Sequence, residues 1–183
     1  MTERYDNQYI FSVPNSLFDF ERLQEIALRN LDDVQEGLAF HQRRTETEPY
    51  LLELRERYPF LSPLYNISTA PAGYVVPIHF ESNRNCAINV PVSYMEDSFT
   101  SFYEPLEPIN SEFIPFKVYH EVKTKVKKVF SYTMTHPVLI NNTLPHDVVG
   151  GPLKDRTILS WSISSKFRFE EIKEILKDAI RQR

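Results

Sequence analysis

Apolar residues in the first part of the chain recur with a helical period. Leu17, Phe20, Leu23, Ala27 and Leu31 are spaced three or four apart, which predicts an amphipathic helix over residues 17 to about 34. Ser16, with Asp19 three residues on, reads as the capping box that opens it. The preceding YIFSVPN suggests a short strand ended by Pro14. The charged stretch HQRRTETEP, from His41, reads as a loop, and Glu48 to Tyr58 as a second short helix stopped by Pro59. At the far end, Ile172, Ile175, Leu176, Ala179 and Ile180 form one apolar stripe against Glu170, Glu171, Lys173, Glu174 and Lys177, the pattern of a third helix.

From residue 64 the texture changes. LYNISTA, GYVVPIHF, CAINVPV, FTSFY, FKVYHEVKTKVKKVFSYTM, HPVLIN and RTILSWSIS are rich in β-branched and aromatic residues, with Pro and Asn/Asp clusters between them. Such a series predicts an antiparallel sandwich or barrel. The order of helices, strands and a last helix predicts an α+β, mainly β architecture in which helices buttress the strands. With 183 residues, the expectation is a single domain. Residues 1–60 carry the first strand and helices, 61–165 the β core, and 166–183 the last helix.

Composition narrows the setting. Apolar residues make up 42% and charged residues 25%, ordinary for a soluble globular protein. A formal net charge of −4 gives no general electrostatic attraction to nucleic acid or anionic membranes. The one cysteine, Cys86, forms no intrachain disulfide and suits a reducing compartment. The start MTERYDNQYIF does not read as a signal peptide, and no apolar run reaches the ~20 residues of a membrane helix. The expectation is cytoplasmic, with no membrane partner.

PIHFES, residues 77–82, raises the first chemical question. In a strand, His79 and Glu81 share a face with Val75 and Pro77, while Tyr74, Val76 and Ile78 face the other way. The pair is either one exposed edge of a sheet or two ligands of a metal ion. A third ligand is available in NNTLPHDVVGG, where His146 stands at a strand boundary. Two histidines and a carboxylate form the facial triad of non-haem Fe(II) sites, which leaves positions open for chemistry. Arg156 follows ten residues later and opens RTILSWSIS, sharing a face with Ser160 and with Ile158 between them. A guanidinium fork beside a hydroxyl suits a carboxylate in a partly dry pocket.

The ordered set His79-x-Glu81, His146 and Arg156, with NRNCAINVPV and RTILSWSIS, resembles the Fe(II)- and 2-oxoglutarate-dependent oxygenases over roughly residues 64 to 164. Within them it is most similar to small phage or bacterial and aspartyl/asparaginyl-hydroxylase-like members. The resemblance implies a double-stranded β-helix, a cupin-like jelly-roll barrel. It implies iron on His79, Glu81 and His146, and Arg156, assisted by Ser160, on the far carboxylate of 2-oxoglutarate. Dioxygen would convert that cosubstrate to succinate and carbon dioxide while an amino-acid, peptidyl or other small substrate is hydroxylated. A phage source would place the protein in host cytoplasm. Glu81 departs from the aspartate usual in the family, and its extra methylene shifts the metal or the backbone. Two other readings stand beside this one, a non-catalytic β-sandwich module and a metal-dependent cupin that does not use 2-oxoglutarate. Arg156 discriminates against both.

Other residues are read two ways. Asn89 either bonds the oxo acid or satisfies nearby backbone, and Arg84 contacts substrate or cosubstrate or is an exposed turn residue. Tyr103 either donates into the pocket or packs in the core. His41, His120 and His136 read as structural, with His136 the fallback third ligand, and Trp161 and Cys86 read as core. Residues 104–115 would help shape the substrate pocket. Lys123, Lys125 and Lys127 are placed on one strand face, either docking an acidic substrate or nucleic acid or protecting a sheet edge. The last helix could equally serve an oligomer interface.

Overall fold

The computed structural model describes residues 5–31, 40–45 (backbone only), 47–93, 95–115 and 119–182. Six strands form one sheet in the order β1-β10-β5-β12-β3-β2. These are β1 (Ile10–Ser12), β2 (Phe40–Thr45), β3 (Leu61–Ala70), β5 (Cys86–Pro91), β10 (Val138–Asn141) and β12 (Arg156–Ile163). The second sheet has the order β7-β8-β4-β11-β6-β9. It comprises β4 (Val75–Phe80), β6 (Phe99–Pro105), β7 (Ser111–Ile114), β8 (Tyr119–Val122), β9 (Val126–Tyr132) and β11 (His146–Val149). All strand pairings are antiparallel.

The chain crosses between the sheets repeatedly. β3, β5, β10 and β12 lie side by side in one, and β4, β6, β9 and β11 in the other. Eight strands alternating in this way form a jelly roll, the double-stranded β-helix of cupin-like proteins. β7 and β8 extend the second sheet beyond β4.

Two apolar layers flank the first sheet, because alternate residues leave opposite faces. Cys86, Ile88 and Val90 of β5 and Leu159, Trp161 and Ile163 of β12 pack with helices α1 (Phe20–Arg29), α2 (Pro49–Arg57) and α3 (Phe169–Arg181). On the opposite face, Ala87 and Ile158 join Ile10, Val138 and Ile140 to meet Phe102 and Tyr132 of the second sheet. Tyr9 closes this layer by packing on Phe102 and Phe130, at ring separations of 5.1 and 5.3 Å.

Several local expectations change. α1 opens at Phe20 because Asp19, extended at φ −78 and ψ 96, is the N-cap and accepts from the Arg22 amide. It stops at Arg29, where the Asn30 side chain bonds the Ile26 carbonyl. Residues 32–34 of the expected helix lie outside the described residues. Residues 40–45, read in part as a loop, form β2, which pairs with the edge of β3 left open by β12. Satisfying that row of backbone groups outweighs the local polarity of HQRRT. The side chain of His41 lies outside the described residues. The second helix, α2, forms where expected, ahead of Pro59.

The long strand expected to carry Lys123, Lys125 and Lys127 is two strands. β8 joins the sheet beside β4 and β9 beside β6, on opposite sides of β11. Between them the Lys123 amide bonds Asn110 O and Lys125 O accepts from Leu106, each at 2.9 Å. The three lysines therefore do not share one strand face. Lys123 pairs instead with Glu121 and Glu112.

Trp161 anchors the helix-side layer, 1% exposed, with its indole N–H donating to Ser62 O at 2.8 Å. Trp161→Ala is expected to cost about 3–5 kcal/mol in urea unfolding. Leu153→Ala, on a side chain 72% exposed, should change stability by less than about 0.5 kcal/mol.

Candidate metal and carboxylate site

One cross-strand row of the second sheet carries the candidate ligands. His79 of β4 stands opposite His146 of β11, which stands opposite Phe102 of β6, itself opposite Phe130 of β9. The row faces the intersheet layer, where His146 lies 5.6 Å from the Phe102 ring and the two imidazoles are 4.3 Å apart between centroids. Tyr119 packs on the other side of His79 at 4.4 Å.

Both histidines are buried, and their orientation is fixed in the same way. Nδ1 of His79 bonds the Pro77 carbonyl and Nδ1 of His146 the Leu144 carbonyl, each at 2.8 Å. A carbonyl only accepts, so each Nδ1 carries the proton and each neutral ring keeps its lone pair on Nε2. Burial, reinforced by the charge His146 would carry, lowers the His79 pKa to about 3 against the pull of Pro77 and Glu81. Burial likewise lowers His146 to about 4. Two neutral imidazoles whose Nε2 atoms make no hydrogen bond among the described residues suit a borderline or redox-active divalent metal.

Glu81 follows the last residue of β4, its amide bonded to Asn142 O at 2.8 Å. Its carboxylate is held through both oxygens by Arg84, Nη2 to Oε1 at 2.8 Å and Nε to Oε2. Arg84 Nη1 donates to Ser160 Oγ at 2.9 Å. Burial opposes the charge on Arg84, and Glu81 more than offsets it. With Glu81 so engaged, no three His, Cys, Asp or Glu side chains among the described residues are grouped to hold a metal ion.

A second polar group lies on the facing sheet. Arg156 and Ser160 are buried on the inward face of β12, with Ile158 between them in the intersheet layer. Among the described residues Arg156 makes no ion pair with an acid, and its Nε has no hydrogen-bond partner. Burial lowers its pKa, and the Tyr132 hydroxyl acts against that shift. That hydroxyl is also without a hydrogen-bond partner among the described residues, as are Asn89 Oδ1 and Asn142 Nδ2. Burial raises the Tyr132 pKa to about 12, while Arg156 lowers it, and Thr100 sits beside it outside hydrogen-bond geometry. A buried guanidinium with no acid beside it is costly unless an anion joins it.

The structure thus gathers His79, His146, Glu81, Arg84 and Ser160 into one connected region and places Arg156 and Asn89 on the inward face opposite. The Tyr103 hydroxyl is committed elsewhere. It donates to Asp147 Oδ2 at 2.7 Å, and Asp147 alternates with the inward-facing His146. His120 stacks on Phe80, and His136 bonds Ser12 Oγ at 2.7 Å and stacks on Tyr5. Cys86 is buried, and burial first pushes its thiol up to about 12, which leaves no reactive thiolate. Tyr132 is a candidate that sequence reading missed. In KVFSYTM it reads as one more aromatic of a strand, and only the packing of the two sheets brings it to Arg156.

No protein-family model matches the chain, and no curated protein matches it. Similar solved structures include an oxidoreductase of the 2OG-Fe(II) oxygenase family from Burkholderia pseudomallei. It is 10% identical, with 85% of each chain covered and a TM-score of 0.48. HygX from Streptomyces hygroscopicus, with nickel and 2-oxoglutarate bound, is 11% identical over 86% of this chain and 83% of that one, at a TM-score of 0.46. Vicilin from Corylus avellana is 12% identical over 76% of this chain, at a TM-score of 0.44; the match spans 33% of the vicilin chain.

The buried histidines are expected to make the protein sensitive to mild acid. Their folded pKa values of about 3 and about 4 lie below the unfolded value near 6.5. Above pH ~6.5 both states are neutral and the stability is complete; below it the unfolded chain takes up protons first. The melting temperature, measured with a chelator present, should fall as pH drops from about 6.5 toward 4. His146→Gln should flatten that fall.

Proposed function

We propose that the chain is an Fe(II)- and 2-oxoglutarate-dependent oxygenase acting as a hydroxylase on an amino-acid, peptidyl or other small substrate. One observation carries the reading: a buried arginine that has no acid partner among the described residues faces the same intersheet layer as two neutral histidines whose Nε2 atoms make no hydrogen bond to those residues. His146 touches Phe102, Phe102 stacks on Tyr132, and Tyr132 feels the charge of Arg156.

In this reading Nε2 of His79 and of His146 hold the metal, and Glu81 completes the set with a carboxylate oxygen. Bound iron supplies the redox chemistry that couples decarboxylation of 2-oxoglutarate to succinate with hydroxylation of the substrate. Arg156 grips the far carboxylate of the cosubstrate, and Ser160, Tyr132 and Asn89 offer further polar contacts to it. The Pro77 and Leu144 carbonyls keep the imidazoles in the liganding tautomer. Phe102, Tyr119 and Phe130 limit water around them.

The Glu81–Arg84 pair favours a second reading, a jelly roll that binds a carboxylic acid without metal. Anaerobic Fe(II) plus 2-oxoglutarate separates the two. The oxygenase reading expects the visible charge-transfer band of the chelate, absent in His79→Ala and Arg156→Ala. Thermal stabilisation by 2-oxoglutarate with no metal requirement and no band supports the second reading, and neither signal overturns both. Arg156→Met adds an independent check. Replacing an unpaired buried charge with an apolar side chain of similar length should raise the melting temperature of the ligand-free protein while abolishing stabilisation by 2-oxoglutarate.

A further inference from the structure

We infer that Glu81 exchanges between Arg84 and the metal, so that Arg84 acts as a latch setting how readily the site loads. The inference rests on the metal-binding reading above. Glu81 sits two residues from His79, yet both its oxygens are engaged by the guanidinium of Arg84. The pair is well shielded, with 13% of the Glu81 and 19% of the Arg84 side chain exposed. It is therefore screened less than a surface ion pair.

The latch is fixed at its far end. Arg84 also donates to Ser160 on β12, in the opposite sheet. The backbone of Glu81 is pinned by its amide bond to Asn142 O. With its backbone held there, a turn of the Glu81 side chain is the shortest way for the carboxylate to change partner. Its turn toward the histidines breaks a two-point charge-assisted contact and leaves a guanidinium beside a divalent cation. Each effect lowers metal affinity while Arg84 is present. A glutamate, longer than an aspartate by one methylene, has the reach to serve both partners.

The test is a double-mutant cycle read as Mn(II) affinity, with free Mn(II) followed by its electron paramagnetic resonance signal. Arg84→Met should bind Mn(II) about tenfold tighter than the wild type, a coupling of ordinary size. In the Glu81→Gln background the same change should gain less than about threefold, because only charge repulsion is then relieved. Equal gains in both backgrounds would mean simple repulsion and would overturn the latch, as would no gain. In those cases Mn(II) still binds, weakened by His79→Ala, and the metal-site reading survives. No Mn(II) binding by wild type, Arg84→Met or His79→Ala removes the reading and the latch together. If Arg84→Met does not fold, Arg84→Lys serves. Its point charge loses the fork geometry and should tighten binding about threefold, with no gain again overturning the latch.

Discussion

β5 and β12 are buried on both faces, so each residue's place in a two-residue alternation decides which of two environments it enters. Leu159, Trp161 and Ile163 leave β12 toward the helices and complete a continuous apolar layer. Arg156, Ile158 and Ser160 leave the same strand toward the second sheet. Slipping the pairing by one residue would put the guanidinium among the helices and Trp161 between the sheets. The apolar face is what holds this register, since Trp161 opposite Ile88 and Tyr65 packs only one way. The polar site depends on the core behind it.

The intersheet layer bears an energetic load that packing alone would not create. Burial holds the pKa of two histidines below the ordinary value, and Arg156 is buried with no acid paired to it among the described residues. Among the described residues the Tyr132 hydroxyl and the Asn89 carbonyl oxygen go unsatisfied. Each of these would be cheaper as an apolar residue of similar volume. Under the proposed function, the ligand would bring negative charge to Arg156 and an electrophile to the imidazoles. The large helix-side layer offsets the cost.

Glu81, Arg84 and Ser160 add a constraint of another kind. The network runs from the end of β4 in one sheet to the inward face of β12 in the other, so it ties the sheets together at the site. It also satisfies a carboxylate and a guanidinium that would otherwise compete for other partners. Local sequence could not announce it. A glutamate three residues before an arginine is common, and here the turn after β4, fixed by Asn142, brings the two side chains together.

Read alone, the sequence determined what depends on short-range period and residue chemistry. The alternation in CAINVPV and RTILSWSIS sorts Asn89 and Arg156 from the core residues beside them. The stripe at residues 172–180 specifies α3, and the spacing of His79, His146 and Arg156 marks three chemically apt groups at strand ends. Tertiary structure decided what depends on neighbours distant in sequence. β2 exists because β3 has an open edge, and the lysines of residues 123–127 are divided because β8 and β9 join opposite sides of β11. His79 meets His146 through antiparallel register across 67 positions of chain. Tyr132 comes to Arg156 through the packing of one sheet on the other, whereas Glu81 turns to Arg84 in the short turn that Asn142 holds after β4. Side-chain period is a property of a strand by itself, whereas the partner of a buried charge is set by whichever strands close around it.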